Sequence, residues 1–382
     1  MTKKILFCTN EPIWPTSTGG SMGNYKTVRK LVERGHDVTV SCPMYSDKEI
    51  VEKNERICVE AFAPFYVHKT ATFRGPRYMA YTFLFFFRFL QLIFRKKYDV
   101  IYVQNNLLAP IVFYRLFYHA KYCLAMTDFL SGFLYDNEHY PNFVVDIMMK
   151  YERFIPRLFD QIFTISPTMK STLVSYGVPE GKIVVSYYGA DAELFDPGKV
   201  KESDIRTLKK KLGLKEKTVV YHGSVDYHMC GRMIAIIRGV LKKTDGISFI
   251  LMGAGKRFDE LKKLKSKNVK VLGFVDLDKL PLYLSLANTG MLPYERNVNQ
   301  DNVLNIKIAE YLAMGLSVVS TNLTANREVF GPLGAISFCD TDKQFVDEII
   351  RLAGKPKSMK VSSIVRDKFS WDRVTGRIAD SL

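Results

Sequence analysis

No pair of cysteines in this chain stands at a C-x-x-C spacing. The six, Cys8, Cys42, Cys58, Cys123, Cys230 and Cys339, are scattered, several of them inside apolar strand-like runs. They read as small buried hydrophobes of a reducing compartment. His222 and His228 fall close together, but no Cys, Asp or Glu at a recognised ligand spacing accompanies them, so no zinc site is expected. Long apolar runs are missing too. The chain passes from Met-Thr-Lys-Lys straight into Ile5–Cys8 without a long apolar stretch, so no signal peptide is expected, and the nearest candidate span, Tyr78–Phe94, is interrupted by Arg88 and Gln91. A G-x-G-x-x-G fingerprint is absent, which counts against a nicotinamide oxidoreductase. There is no short internal repeat and no low-complexity tract.

Acidic residues are the other shortage: 39 Asp and Glu face 55 Lys and Arg, giving a formal net charge of +16. Such an excess suits a polyanionic partner, either nucleic acid or an anionic membrane. No nucleic-acid-binding motif accompanies the charge, so nucleic acid is not expected. Phe73–Lys97 instead combines Arg74, Arg77, Arg88, Arg95, Lys96 and Lys97 with dense aromatic and aliphatic residues and no acid. Such a helix suits a membrane interface, although a helix burying its Phe and Leu residues in a domain core would show the same composition. The expected location is cytoplasmic, peripheral on the inner face of the membrane.

At 382 residues, 47% of them hydrophobic and 25% charged, the chain is long enough for two packed domains. Strand and helix patterns alternate: Ile5–Thr9, a helix from about Asn24 to Arg34, Val38–Cys42, then Val100–Gln104, Tyr122–Thr127, Gln161–Ser166 and Ile183–Tyr187. A second alternation follows, with strands Thr218–Tyr221, Ser248–Met252, Val269–Leu272 and Thr289–Leu292 between helices near 232–242, 257–266 and 280–287. This predicts two Rossmann-like, doubly wound parallel-sheet domains, 1–190 and 218–370, joined by 191–217, with an amphipathic helix at 371–382 packing back on the first. Facing halves of this kind place the carboxyl ends of both sheets around one cleft, the expected active site.

The stretch Asn305–Thr321 carries the sharpest chemical signal. Lys307 and Glu310 share a helix face before Gly315, a C-terminal stop, and the apolar strand Leu316–Val319. A carboxylate so placed suits the two hydroxyls of a ribose, while the helix start attracts phosphate. Gly19 and Gly20, after the loop EPIWPTSTGG, let backbone approach a phosphate or sugar. Gly223 and Ser224 again follow a strand and offer donors to a phosphate, with Arg232 near the next helix start. Asp276-Leu277-Asp278 and Asp340-Thr341-Asp342 each precede a helix pattern, where capping is the preferred job, so no metal is predicted.

Taken in order, the GG loop with RGHDVTV, DQIFTISPTMKSTLVSYGV, YYGADAELFDP, LMGAGKRFDEL, NVKVLGFV, Pro293, KIAEYLAMGLSVVST and the C-terminal FSW resemble family-four glycosyltransferases of the GT-B type along nearly the whole chain. The resemblance implies a nucleotide sugar bound mainly on the second domain and an acceptor mainly on the first. By position it implies Glu310 as the ribose-holding acid, Gly19 and Gly20 as the loop near the diphosphate, Gly223 as the start of the phosphate-contacting segment, and Asp128 as the residue facing the transferred sugar. Two departures stand out. The family's Arg and Lys after that glycine fall on Ser224 and Met229, with Arg232 as a replacement, and the first acid of its E-x7-E pair falls on Asn302, with Asp301 as a stand-in.

The function so implied is retaining transfer of a hexose-type sugar from a nucleoside diphosphate sugar to a hydroxyl of a lipid-linked or membrane-associated glycan, without a cofactor. Gly223, Ser224, Arg232 and the helix start before Glu310 would stabilise charge on the leaving diphosphate, one of whose oxygens takes the acceptor proton. Lys307 and Asn302 join the expected donor site. Two alternatives stay open: a nucleotide-sugar epimerase on the same fold, and a non-catalytic sugar-nucleotide-binding protein suggested by Met229 and Asn302.

Overall fold

Near-continuous apolar runs such as KILFCT, DVTVSC and VIYVQ suit strands covered on both faces, and they form the middle of a parallel sheet. A computed structural model of the chain describes residues 1–11, 13, 19–43, 57–61, 76–136, 140–225 and 227–382. Two units emerge, one gathering Met1–Ser131, Pro141–Tyr187 and Trp371–Leu382, the other Gly132–Tyr140 and Tyr188–Ser370.

In the first unit, strands β1 (Lys4–Thr9), β2 (Asp37–Cys42), β3 (Ile57–Ala61), β4 (Val100–Gln104), β5 (Lys121–Met126), β6 (Gln161–Thr164) and β7 (Ile183–Val185) lie in the order β3-β2-β1-β4-β5-β6-β7. Every pairing is parallel. Ile5 and Phe7 pack with Val28 and Leu31 of the helix Gly19–Glu33 and with Ile378, Ala379 and Leu382 at the C-terminus. That terminal helix, Trp371–Ser381, is further tied by an ion pair of Arg34 with Asp380 at 2.8 Å and by the Ser186 hydroxyl donating to the Val374 carbonyl at 2.9 Å.

The second unit repeats the plan with β8 (Lys217–Ser224), β9 (Ile247–Ala254), β10 (Val269–Gly273), β11 (Thr289–Leu292), β12 (Ser317–Thr321) and β13 (Ile336–Cys339), in the order β10-β9-β8-β11-β12-β13. Its pairings are also parallel. Strand order reverses beside β1/β4 in one sheet and beside β8/β11 in the other, and at such reversals open α/β sheets receive ligands outside the strand carboxyl ends.

Several elements depart from the sequence expectation. The first helix begins at Gly19 rather than near Asn24, so Gly19 and Gly20 are its opening residues, and neither has positive φ. The basic stretch 257–266 yields only the helix Phe258–Leu261. Beyond it the chain tightens into i→i−3 bonds such as Leu264 N–H to Leu261 O at 3.0 Å. Edge strands β3 and β13 are additional to those expected. Arg74 and the loop 14–18 lie outside the described residues, as do the side chains of Arg77 and His228.

Candidate active site

At the β8/β11 reversal the backbone of Gly223 has φ of +118°, a conformation that side-chain-bearing residues avoid. A Cβ on Gly223 would stand 2.3 Å from Cε of Lys307, so the glycine allows the lysine chain to lie on the strand end. Lys307 Nζ donates to the Tyr294 hydroxyl at 2.8 Å and sits 5.5 Å from the centre of that ring. Tyr294 follows Pro293 at the end of β11, so three segments distant in sequence converge here.

Lys307 and Glu310 are presented by the helix Ile306–Ala313, which Gly315 terminates at φ +77°. The helix is held on the sheet by Tyr311, whose ring occupies the space a side chain at Gly290 would need: a Cβ there would be 2.3 Å from the ring. Burial pushes the Tyr311 phenol well above its ordinary range, partly opposed by the His222 N–H that its oxygen accepts at 3.1 Å. Glu310 is 7% exposed, and its Oε2 lies 3.1 Å from His222 Nε2. The angles of that contact miss those of a hydrogen bond, and neither atom has another hydrogen-bond partner. It is a close electrostatic contact between a carboxylate and an imidazole edge, the imidazole itself packing edge-on against Tyr311 at 5.1 Å.

Arg232 takes a different part from a free phosphate clamp. Its guanidinium bonds Asp342 at 2.7 Å, the Tyr294 carbonyl at 2.7 Å and the Thr321 hydroxyl at 2.8 Å, and it stacks over Phe345. It thereby fixes the loop that carries Tyr294. Asp301 is likewise engaged, pairing with Arg296 at 2.7 Å and accepting from the Thr324 N–H and hydroxyl at 3.0 Å. Asn302 is buried and donates from Nδ2 to the Val298 carbonyl at 2.8 Å. Met229 is buried against the Tyr221 hydroxyl, which also donates to the Ser224 carbonyl at 2.6 Å, and Ser224 itself is exposed at the end of β8. In the second D-x-D the capping group is Thr341, in a capping box with Gln344, while Asp342 holds Arg232. Among the described residues no group of three or more His, Cys, Asp or Glu side chains is placed to hold a metal ion.

On the first unit, Gly20 lies against Glu11 in the segment after β1, where a Cβ would come within 2.1 Å of the carboxylate. Asp128 follows β5; its carboxylate accepts from the Thr127 hydroxyl at 3.3 Å and its carbonyl from Asn106 Nδ2 at 3.3 Å.

The profile of Glycosyltransferase Family 4 matches residues 18–194, and that of Glycosyl transferases group 1 matches residues 208–355. The chain is a family-four-like GT-B glycosyltransferase. A protein of Bacillus subtilis (strain 168), provisionally named the teichuronic acid biosynthesis glycosyltransferase TuaH, is 35% identical over 75 residues, a segment spanning 20% of this chain and only 18% of that relative. Among solved structures, the sucrose-phosphate synthase of Thermosynechococcus elongatus aligns with a TM-score of 0.75 at 14% identity, covering 99% of this chain and 98% of that one. Anabaena HepE in complex with UDP aligns at 0.69 with 18% identity, covering 99% of each chain. WaaG, a glycosyltransferase of lipopolysaccharide biosynthesis, aligns at 0.65 with 14% identity, covering 99% and 95%. These likenesses carry the GT-B fold, matching the two doubly wound sheets read from the sequence.

In this glycosyltransferase Gly223, Lys307 and Glu310 therefore meet at one strand end, joined by His222, Tyr294 and Tyr311, which spacing along the sequence did not single out. Arg232 reaches the same loop through its backbone. The signal that would have found Tyr294 is its place just after Pro293 on a strand flanking the order reversal.

Proposed function

We propose that this glycosyltransferase moves a sugar, with retention, from a nucleoside diphosphate sugar to a hydroxyl of a lipid-linked or membrane-associated glycan. The observation that carries the donor half is the meeting of Lys307, Gly223 and Glu310 at the β8/β11 reversal. The Glu310 carboxylate accepts from the ribose hydroxyls. Lys307 and the N–H groups and hydroxyl at Gly223 and Ser224 face the diphosphate, where charge grows as the sugar bond breaks, and lower the barrier by holding that charge. Arg232 acts through the Tyr294 carbonyl it grips, and Asn302 contacts the sugar ring. On the first unit Gly19 and Gly20 open a helix that approaches phosphate, and Asp128 faces the transferred sugar. A diphosphate oxygen takes the acceptor proton, so no metal and no carboxylate pair for double displacement enters. The bound UDP of HepE makes uridine nucleotides the first probes. Calorimetric titration of UDP into the wild-type protein and Glu310→Ala tests the assignment: affinity should fall at least tenfold in the variant while the fold is retained, and equal affinity would remove Glu310 from the site.

The acceptor half is supported by an aromatic surface. The helix Pro76–Arg95 buries Tyr81, Phe85 and Phe89 but leaves Phe83, Phe87 and Phe94 exposed, Phe94 at 80%. Beside it the 3₁₀ stretch Asn106–Leu116 and its following residue expose Phe113, Leu116 and Phe117, the two elements being joined by Tyr114 stacked on Phe89 at 5.2 Å. Arg95, the last residue of the helix, and Lys97 just beyond it are exposed, whereas Arg88 and Lys96 pair internally with Glu60 and Asp37. Exposed aromatics on an element with exposed cations at its end suit an anionic bilayer surface. No described helix is long and apolar enough to cross a membrane.

A further inference from the structure

The first unit contains a buried carboxylate to which the transfer chemistry assigns no part. Glu152, on the helix Asn142–Phe154, is 1% exposed. It accepts the Leu130 N–H, the Ser131 N–H at 3.3 Å, the Ser131 hydroxyl at 2.6 Å and Asn106 Nδ2 at 3.3 Å. The same Asn106 amide donates to the Asp128 carbonyl at 3.3 Å, and the Tyr151 hydroxyl donates to the Asn106 carbonyl. One side chain thus ties together the segments that follow β4 and β5, neighbouring strands in register at Gln104 and Ala125.

Two further observations mark these strand ends as more than packing. Asn105, directly after β4, has φ of +88° and ψ of +142°, the one non-glycine among the described residues with positive φ. Its strain is held by its N–H donating to the Ala125 carbonyl at 3.1 Å and its Oδ1 accepting from Leu107 N–H at 3.0 Å. Burial also pushes the Glu152 carboxyl above its ordinary range, opposed by the Ser131 hydroxyl, the Leu130 and Ser131 N–H groups and the Asn106 amide. An apolar residue would fill this space without that desolvation cost. Strain and a costly buried acid coincide at the carboxyl end of β4, on the strand-order reversal, and at the residues following Asp128.

We infer that Glu152 is a positioning residue for Asp128, fixing the backbone of residues 128–131 through Asn106, Leu130 and Ser131 so that the Asp128 carboxylate keeps one direction. The inference rests on Asp128 facing the transferred sugar. Its test combines amide hydrogen exchange of the full-length protein with release of UDP from UDP-glucose, in wild type, Glu152→Gln, Ser131→Ala and Asp128→Asn. Glu152→Gln should speed exchange at Leu130 and Ser131 at least tenfold while β1 and β4 keep their protection. It should lower the rate of UDP release about tenfold, with KM for UDP-glucose within twofold. Ser131→Ala, which keeps the carboxylate and removes one donor, should move both readouts the same way by about threefold. In the Asp128→Asn background, Glu152→Gln should change UDP release less than twofold. Unchanged exchange at 130 and 131, faster exchange throughout the unit, or an equal rate loss in both backgrounds would each overturn the inference. If the wild-type protein releases no UDP, the donor reading fails for UDP-glucose, and the exchange result still decides what Glu152 holds.

Discussion

Replacing Gly223 by alanine tests the donor site with a magnitude that follows from the backbone. At φ +118° an alanine is strained by about 1–3 kcal/mol. Its Cβ, built at 2.3 Å from Lys307 Cε, must also separate to the about 3.5–4.0 Å of ordinary carbon contact, so the lysine chain withdraws by about 1.2–1.7 Å. That movement is cheap for a flexible chain but breaks the 2.8 Å bond of Nζ to Tyr294. Two effects are therefore expected: a fall in Tm of about 2–12 °C, at about 2–4 °C per kcal/mol for a unit of this size, and an at least tenfold loss of UDP affinity. Lys307→Ala alone should lose the affinity with little change in Tm. In Gly223→Ala/Lys307→Ala the Tm loss should persist while the binding loss stays near that of either single variant, since both act on one cation. Differential scanning calorimetry and isothermal titration with UDP read the two effects separately. Wild-type Tm and affinity in Gly223→Ala, or binding losses that simply add in the double variant, would refute the reasoning.

Arg232→Ala removes one of the two donors to the Tyr294 carbonyl, leaving it only the Thr321 hydroxyl at 2.5 Å, and takes the guanidinium from Asp342, so urea unfolding should show a loss of about 1–3 kcal/mol together with weaker UDP binding. Serine at Phe83, Phe87, Phe113 and Phe117 with glutamine at Arg95 and Lys97 should abolish sedimentation with vesicles of anionic lipid, leaving UDP binding intact; sedimentation at the wild-type level would remove the bilayer assignment. The Glu152 carboxyl is raised in the folded state, so its contribution to stability is fully present below the ordinary glutamate range and is lost as pH rises through the folded value. The Tm of the wild type relative to Glu152→Gln should accordingly fall as pH rises above the ordinary glutamate range, about pH 4, and a flat difference would contradict that sign.

What was legible in the sequence followed local rules. β4 and β11 match the apolar runs read for them residue for residue, because central parallel strands need little beyond continuous hydrophobicity. Lys307, Glu310 and Gly315 were visible through helical spacing and a glycine stop. The start of the first helix was not, since two glycines read as a loop when only local preference is weighed. His222, Tyr294 and Tyr311 escaped for another reason: their contacts depend on which strands neighbour β8 and on a helix laid over Gly290, and nothing in local spacing encodes either. The engagements of Arg232 with Asp342 and of Asp301 with Thr324 span long sequence separations and are invisible in the same way. Glu152 was hidden as one acid in an ordinary amphipathic helix, its role set by the Asn106, Leu130 and Ser131 groups that converge on it.

The most direct measurement is thermal unfolding of the wild type, Glu310→Ala and Lys307→Ala against UDP-, dTDP-, ADP- and GDP-sugars. A donor at a hundred times its dissociation constant stabilises the native state by about 2.7 kcal/mol. At least one nucleotide sugar should therefore raise the wild-type Tm by several degrees, with the shift lost in both variants. A wild type whose Tm no nucleotide sugar moves, or variants that respond as the wild type does, would contradict donor binding at the β8/β11 strand ends.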